Sequence, residues 1–215
     1  MKIIDTRPIK NLDQTNEILN VPLYDIKLLD QVINIGKYKN IIFQSPLAVR
    51  SFKYTKELDN KRVISMGPGT SKELKKFGYI AEQPNEEFNS KGVIGLLLKG
   101  DISGNTLVVK GEGGLSEIAD YLNSANFITD EINVYVREPF ENYIDLKDKF
   151  LDCDAVIFTS SLSVDLYFRN LFREDEKVLY LPISERIEIA INSYGHKAKV
   201  INYFAENLMD EIKAT

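Results

Sequence analysis

The chain has 215 residues, of which 44% are hydrophobic and 27% charged, with a net charge of −5. That is enough for one large or two small domains with a real core, and no apolar run approaches the roughly 20 residues of a membrane helix. A single cysteine, Cys153, excludes an internal disulfide and a CxxC metal site. The acidic balance argues against general nucleic-acid binding, and any anionic ligand must be held by local groups.

KIIDTRP at the N-terminus has an early charge and a short apolar run, so no signal peptide is expected and the location read from it is cytoplasmic. KIIDTRP, NIIFQS and RVISMG then read as buried parallel strands ending in turn residues. Ser45-Pro46 suits an N-cap followed by Pro at the first helical position. Thr70 and Glu73 have capping-box spacing, and that helix is expected to end at KKFG, with Lys75 and Lys76 in its last turn and Gly78 beyond. GNTLVVK is the next strand. The GEGG turn at 111–114 follows it and offers backbone amides to an anion, or is simply a tight turn.

After the SEIADYL helix and INVYVREP, Cys153 leads into DAVIFTS, where Thr159, Ser160, Ser161 and Ser163 crowd the junction. Val164, Phe168, Leu171 and Phe172 make one apolar helical stripe; Ile187, Ala190, Ile191 and Tyr194 make another, with Gly195 placed as its cap. KVLYLP is the strand between them, and His196 is expected on a surface loop. Strand–helix alternation implies parallel sheets covered on both faces.

The order repeats. Phe43 and Phe158 differ by 115 positions, Pro68 and Pro182 by 114, Tyr24 and Tyr135 by 111, Thr6 and Lys110 by 104. An internal duplication is therefore expected, giving an α/β fold of two doubly wound units. Hydroxyl-rich turns then fall at the carboxyl ends of strands, where open α/β sheets bind ligands. Helix starts there accept carboxylate or phosphate. Taken singly, each Ser or Thr is an ordinary cap; their pairing across the repeat is what points to a ligand. No Ser-His-Asp set, metal cluster or Cys-His pair can be assembled, so a hydrolase or metalloenzyme lacks its parts.

D-T-R-P, F-Q-S-P-L-A-V, G-P-G-T-S-K-E-L-K-K-F-G, K-G-E-G-G with V-Y-V-R-E-P, and F-T-S-S-L-S-V, in this order over nearly the whole chain, resemble the uroporphyrinogen-III synthase family. The resemblance implies two flavodoxin-like parallel-sheet domains joined by a two-stranded β-ladder. Residues 1–30 plus 143–215 would form domain 1, 37–132 domain 2, and 31–36 and 133–142 the linking strands, with LYDIKLL and INVYVRE paired. It implies a monomeric, cofactor-free lyase of porphyrin biosynthesis acting on hydroxymethylbilane, a linear polycarboxylate. The reaction loses the ring A hydroxyl and closes the ring with ring D inverted, giving the uroporphyrinogen product. Neither nucleic acid, membrane nor metal is implied.

Carried across by position, the resemblance puts a possible general acid at Tyr135, with Thr70 and Ser184 as further catalytic hydroxyls. Substrate binding falls on Arg7, Ser45, Pro46, Gly67, Lys110, Gly113, Gly114, Thr159, Ser160 and Ser161. Leu181-Pro182-Ile183-Ser184 departs from the G-P-x-T pattern, so Leu181 is expected to crowd a position where Gly admits a ligand. Lys110 stands where the family often has Arg, keeping charge without the bidentate fork. The alternatives are a cytoplasmic bilobal binding or regulatory protein and an inactive synthase homologue.

Overall fold

The short β-branched runs read from the sequence are strands in a computed structural model of the chain, which describes residues 1–8, 18–100, 102–174, 177–205 and 207–214. In chain order they are β1 (Ile3–Asp5), β2 (Ile18–Asn20), β3 (Tyr24–Leu28), β4 (Tyr38–Phe43), α1 (Pro46–Ser51), β5 (Arg62–Ser65), α2 (Pro68–Lys76), α3 (Ser90–Leu98) and β6 (Asn105–Gly111). There follow α4 (Glu117–Ser124), β7 (Thr129–Pro139), α5 (Ile144–Phe150), β8 (Ala155–Phe158), α6 (Ser161–Asn170), β9 (Leu179–Pro182), α7 (Glu185–Asn192) and α8 (Leu208–Lys213). The fold is mixed α/β with parallel sheets.

The chain divides into two units. Unit 1 is Met1–Ile26 with Glu138–Thr215, and unit 2 is Lys27–Arg137. The chain leaves unit 1 within β3 and returns within β7. These two strands are neighbours in the sheet ordered β3-β7-β6-β4-β5. The other sheet is ordered β2-β1-β8-β9, all pairs parallel.

In unit 1 the strands are apolar on both faces, because helices cover both. Ile4, Val156, Phe158 and Tyr180 join one core with Val164, Tyr167 and Ile187. Ile3, Ala155, Ile157 and Leu181 join the opposite core with Ile201 and Ile212. In unit 2, Ile42, Ile64 and Val108 pack against Val93, Leu97, Ile118 and Leu122. Ile41, Phe43, Val63, Leu107 and Val109 alternate with them and are buried too.

Strand register corrects two of the repeat pairings. Phe43 faces Ser65 across β4–β5, and Phe158 faces Pro182 across β8–β9. Pro182 therefore matches Ser65, not Pro68. One proline ends a strand and the other begins a helix, and each is at home in its place. Val109 faces Phe43, whereas Asp5 faces Ile157, one residue short of Phe158. Thr6 thus matches Val109, and Arg7 is the counterpart of Lys110.

Two local expectations also change. Thr70 is not a cap: α2 starts at Pro68 on Gly67, and no side chain caps it. The Pro at the first helical position moved the start ahead of the apparent capping box. The helix does end in the way the basic turn and glycine imply, with Gly78 at φ +90° and Tyr79 N–H bonded to the Leu74 carbonyl at 3.2 Å. His196 is not a surface residue. It is half-buried and stacks on Phe168 at 5.0 Å, beside Phe172 and Tyr180. Phe168 lies flat against Tyr194 at 4.6 Å as well, so the aromatic stripe gathers the imidazole into the core of unit 1.

Candidate active site

In unit 2, β4 ends at Phe43 and the chain turns through Gln44 into α1. Ser45 is extended, at φ −160° and ψ 160°, and its Oγ accepts from the Ala48 amide at 3.0 Å. Pro46 occupies the first helical position. Both are half-buried. Tyr135 on β7 is 2% exposed, and its hydroxyl lies 3.4 Å from Ser45 Oγ. Arg137, two residues on and so on the same face of the strand, donates to the Tyr135 hydroxyl at 3.1 Å. Its guanidinium carbon stands 5.3 Å from the centre of the same ring.

Gly111 explains how the ring fits. A Cβ there would overlap the Tyr135 ring, so the end of β6 must be Gly. The turn continues through Gly113, at φ +71°, to Gly114, whose amide bonds back to the Gly111 carbonyl at 3.0 Å. Gln44 ties this turn down by donating to the Leu115 carbonyl at 2.9 Å. Gly67 starts α2 with extended backbone, and a Cβ there would press on Phe88. Thr70 is buried in the first turn of α2, and its hydroxyl has no hydrogen-bond partner among the described residues.

Lys110 is not a free cation. It is 5% exposed, its Nζ donates to the Gly114 carbonyl and Ser116 Oγ, and it pairs with Glu131 at 2.7 Å. It braces the 111–116 turn. Arg7, its counterpart in unit 1, is likewise committed. The guanidinium pairs with buried Asp5 at 2.5 Å and lies over the Tyr203 ring at 4.8 Å. Tyr203 donates to the same carboxylate, and burial followed by that negative charge pushes its phenol well above the ordinary value.

Unit 1 repeats the tyrosine–serine contact. Ser160 starts α6 with φ −156° and ψ 153°, accepting from the Ser163 amide at 3.1 Å. The Tyr24 hydroxyl lies 3.1 Å from Ser160 Oγ. Thr159 and Ser161 flank Ser160 and are half-buried. Ser184 starts α7, but its side chain makes no capping bond; only its carbonyl is used, by the Ile187 and Glu188 amides at 3.0 Å. By register Ser184 matches Gly67, and Leu181 matches Ile64. Leu181 is fully buried in the sheet core and does not crowd the turn.

The geometry thus brings together Tyr135, Ser45, Pro46, Gly113 and Gly114 with Lys110 as a brace. It places Thr70 and Gly67 at the next helix start of unit 2, and groups Thr159, Ser160 and Ser161 in unit 1. Sequence reading paired Tyr24 with Tyr135 but missed Arg137. The period-two spacing of Tyr135 and Arg137 in one strand was the available signal. No cluster of three or more His, Cys, Asp or Glu is placed to hold a metal among the described residues. No helix there is long and apolar enough to cross a membrane. A groove of about 590 Å³ in unit 1, lined by Phe140, Tyr143, Lys147 and Arg169, includes none of the site residues named above.

Fold and site together define an α/β protein of parallel sheets with hydroxyl-bearing helix starts at strand ends. A family model described as uroporphyrinogen-III synthase HemD matches residues 13–207. The chain belongs to the uroporphyrinogen-III synthase family, and its activity is that of a cyclising lyase that needs no cofactor and converts hydroxymethylbilane with ring D inverted and water lost. Among solved structures, a uroporphyrinogen-III synthetase from Helicobacter pylori 26695 superposes with a TM-score of 0.70 at 14% identity, over 99% of this chain and 98% of that one. A mutant uroporphyrinogen III synthase from the extremely thermophilic bacterium Thermus thermophilus gives a TM-score of 0.62 at 14% identity, over 99% and 96%. At that identity the likeness speaks for the fold. No curated protein matches.

Proposed function

We propose that Tyr135 is the general acid of this synthase and that the substrate's carboxylates are held by helix-start amides and hydroxyls. In unit 2 these are at Ser45, Pro46, Gly67, Thr70, Gly113 and Gly114; in unit 1, at Thr159, Ser160, Ser161 and Ser184. Arg7 and Lys110, each already paired, shape the turns that carry them. The carrying observation is the Tyr135 hydroxyl, fixed between the cap oxygen of α1 and a guanidinium. In the reaction, the bond from the hydroxymethyl carbon on ring A to its hydroxyl breaks with the electron pair going to oxygen. The phenol proton moves to that oxygen, water leaves, and the phenolate recovers its proton when the closing ring sheds one. The rest is proximity and orientation.

We infer further that the chain is a cytoplasmic monomer, with no nucleic-acid or membrane partner, built from two flavodoxin-like domains of duplicated origin. The bounds proposed with it are 1–30 plus 143–215 and 37–132; of the linking segments only 133–142 carries strand, within β7, while 31–36 has none and its strand lies earlier, at β3. The support is order and register. Strand β2-β1-β8-β9 with a bridge at Ala198, and β7-β6-β4-β5 with a bridge at Glu82, give one spatial order. Incubation with hydroxymethylbilane followed by separation of the uroporphyrinogen isomers tests the activity: excess type III is expected, and type I alone overturns it.

A further inference from the structure

We propose that Arg137 is a substrate-binding residue of this site: its guanidinium takes a carboxylate of the tetrapyrrole with the face it does not give to Tyr135, and it orients the Tyr135 proton. This rests on the reading of Tyr135 as the general acid. Three observations carry it. First, the cations that sequence position nominates are already neutralised, Arg7 by Asp5 and Lys110 by Glu131. Second, Arg137 is half-buried, and among the described residues it pairs with no carboxylate. A guanidinium carries five N–H donors in a planar fork, and only the bond to the Tyr135 oxygen is used here. The unused donors match a carboxylate in bidentate geometry. Third, the cation stands over the ring and on the hydroxyl of the same phenol, so whatever it binds is held beside the group that donates.

The contact also sets a direction. A guanidinium only donates, so it occupies a lone pair of the phenol oxygen and the phenol's own proton must point elsewhere. When that proton leaves, the charge left on oxygen faces a permanent cation. The guanidinium therefore favours the transition state as well as the bound substrate.

The experiment compares wild type, Arg137→Gln, Arg137→Lys, Tyr135→Phe and the Tyr135→Phe/Arg137→Gln double variant, each checked for an unchanged thermal unfolding curve. Arg137→Gln is expected to raise KM for hydroxymethylbilane about tenfold or more, the order of one lost charged hydrogen bond, and to lower kcat. Arg137→Lys should restore part of KM, because it keeps charge without the fork. The double variant should lose less rate than the two single losses multiplied, because both act on one proton transfer. Arg137→Gln with wild-type KM and kcat overturns the inference, as does full multiplicativity. If wild type makes only type I product, the reading of the activity fails instead. Calorimetric binding of uroporphyrinogen III then decides Arg137 separately: equal affinity of wild type and Arg137→Gln overturns it, and weakened affinity supports it.

Discussion

In unit 1, Asp5 faces Asn20, and Tyr24 follows and meets the cap serine Ser160; in unit 2, the matching Val108 faces Glu131, and Tyr135 follows and meets Ser45. The tyrosines occupy one structural position, and both are 2% exposed. Their neighbours differ. Two residues past Tyr24 the chain has Ile26, packed on the unit 1 core, and two past Tyr135 it has Arg137 on the phenol oxygen. Ser160 is buried and shares its oxygen with Ser163, whereas Ser45 is half-buried. In unit 1 the position has closed into packing. In unit 2 it keeps a cation and a partly open cap, the surroundings that the role proposed for Tyr135 calls for.

The sharpest way to break this contrast is to remove each hydroxyl alone. Tyr135→Phe should lower the rate of type III product about 100-fold, the usual worth of a positioned proton donor. Tyr24→Phe should leave the rate within about threefold and cost about 1 kcal/mol of stability in urea unfolding, the net value of one hydrogen bond. Equal rate losses from the two changes would mean that the units do not divide the work. Full activity in Tyr135→Phe would make that residue a packing tyrosine and leave departure of the hydroxyl to substrate ionisation, with help from Thr70 or Ser184.

Gly111→Ala tests the same phenol from beneath. The added methyl overlaps the ring, so Tyr135 must shift or the β6 turn must open. Overpacking of this kind costs about 1–3 kcal/mol, and activity should fall together with stability. An alanine variant with wild-type melting and rate would show that the ring is not fixed by this contact.

Much of this is legible in the order of residues alone. The junction serines, the two tyrosines and the α/β alternation follow from turn chemistry, apolar runs and spacing. What misleads is a matched proline: Pro68 and Pro182 look alike in sequence, but proline is tolerated both at a strand end and at a helix start, so identity does not fix register. That slip makes Leu181 look like an intruder. The state of Lys110 is also hidden, because its partner Glu131 lies on a neighbouring strand and only the pairing of β6 with β7 brings them together. Arg137 is the reverse case, readable from strand periodicity next to Tyr135.

The cap serines give a smaller contrast. Ser160 Oγ accepts from the Ser163 amide and touches Ser163 Oγ and the Tyr24 hydroxyl, all in the interior. Ser160→Ala should therefore destabilise by about 1–2 kcal/mol, a lost cap with buried partners left unsatisfied. Ser45→Ala loses one cap bond and the longer 3.4 Å contact to the Tyr135 hydroxyl at a half-buried site and should cost about 1 kcal/mol in stability, while weakening uroporphyrinogen III binding by a similar amount. Calorimetry and urea unfolding on the two variants check both. A larger stability loss at Ser45 than at Ser160 would contradict the burial argument.

The last and smallest effect is at the sheet edges. In unit 2, β5 is continued by a bridge to Glu82, and Arg62 binds Glu82 through two donors, at 2.9 and 2.7 Å. In unit 1 the matching residue is Leu179, and the edge bridge falls on Ala198 with no ion pair between the two positions. The hydrogen bonds from Arg62 hold the Glu82 carboxyl below its ordinary value, against the opposing effect of burial. A folded-state pKa below the unfolded one means stabilisation that is present above the unfolded value, about 4.3 for Glu, and lost as pH falls through the folded value. Glu82 is 47% exposed, so solvent screening limits the effect to well under about 1 kcal/mol. Hydrogen exchange reads it locally. The Ser65 and Glu82 amides, which bond to the Glu82 and Val63 carbonyls, should lose protection between pH 7 and about pH 3 after correction for intrinsic rates. The Lys199 and Ile201 amides, bonded to the Tyr180 and Pro182 carbonyls at the unit 1 edge, should change less. Glu82→Gln should abolish the difference between the edges; if the difference persists in that variant, the pair is not its cause.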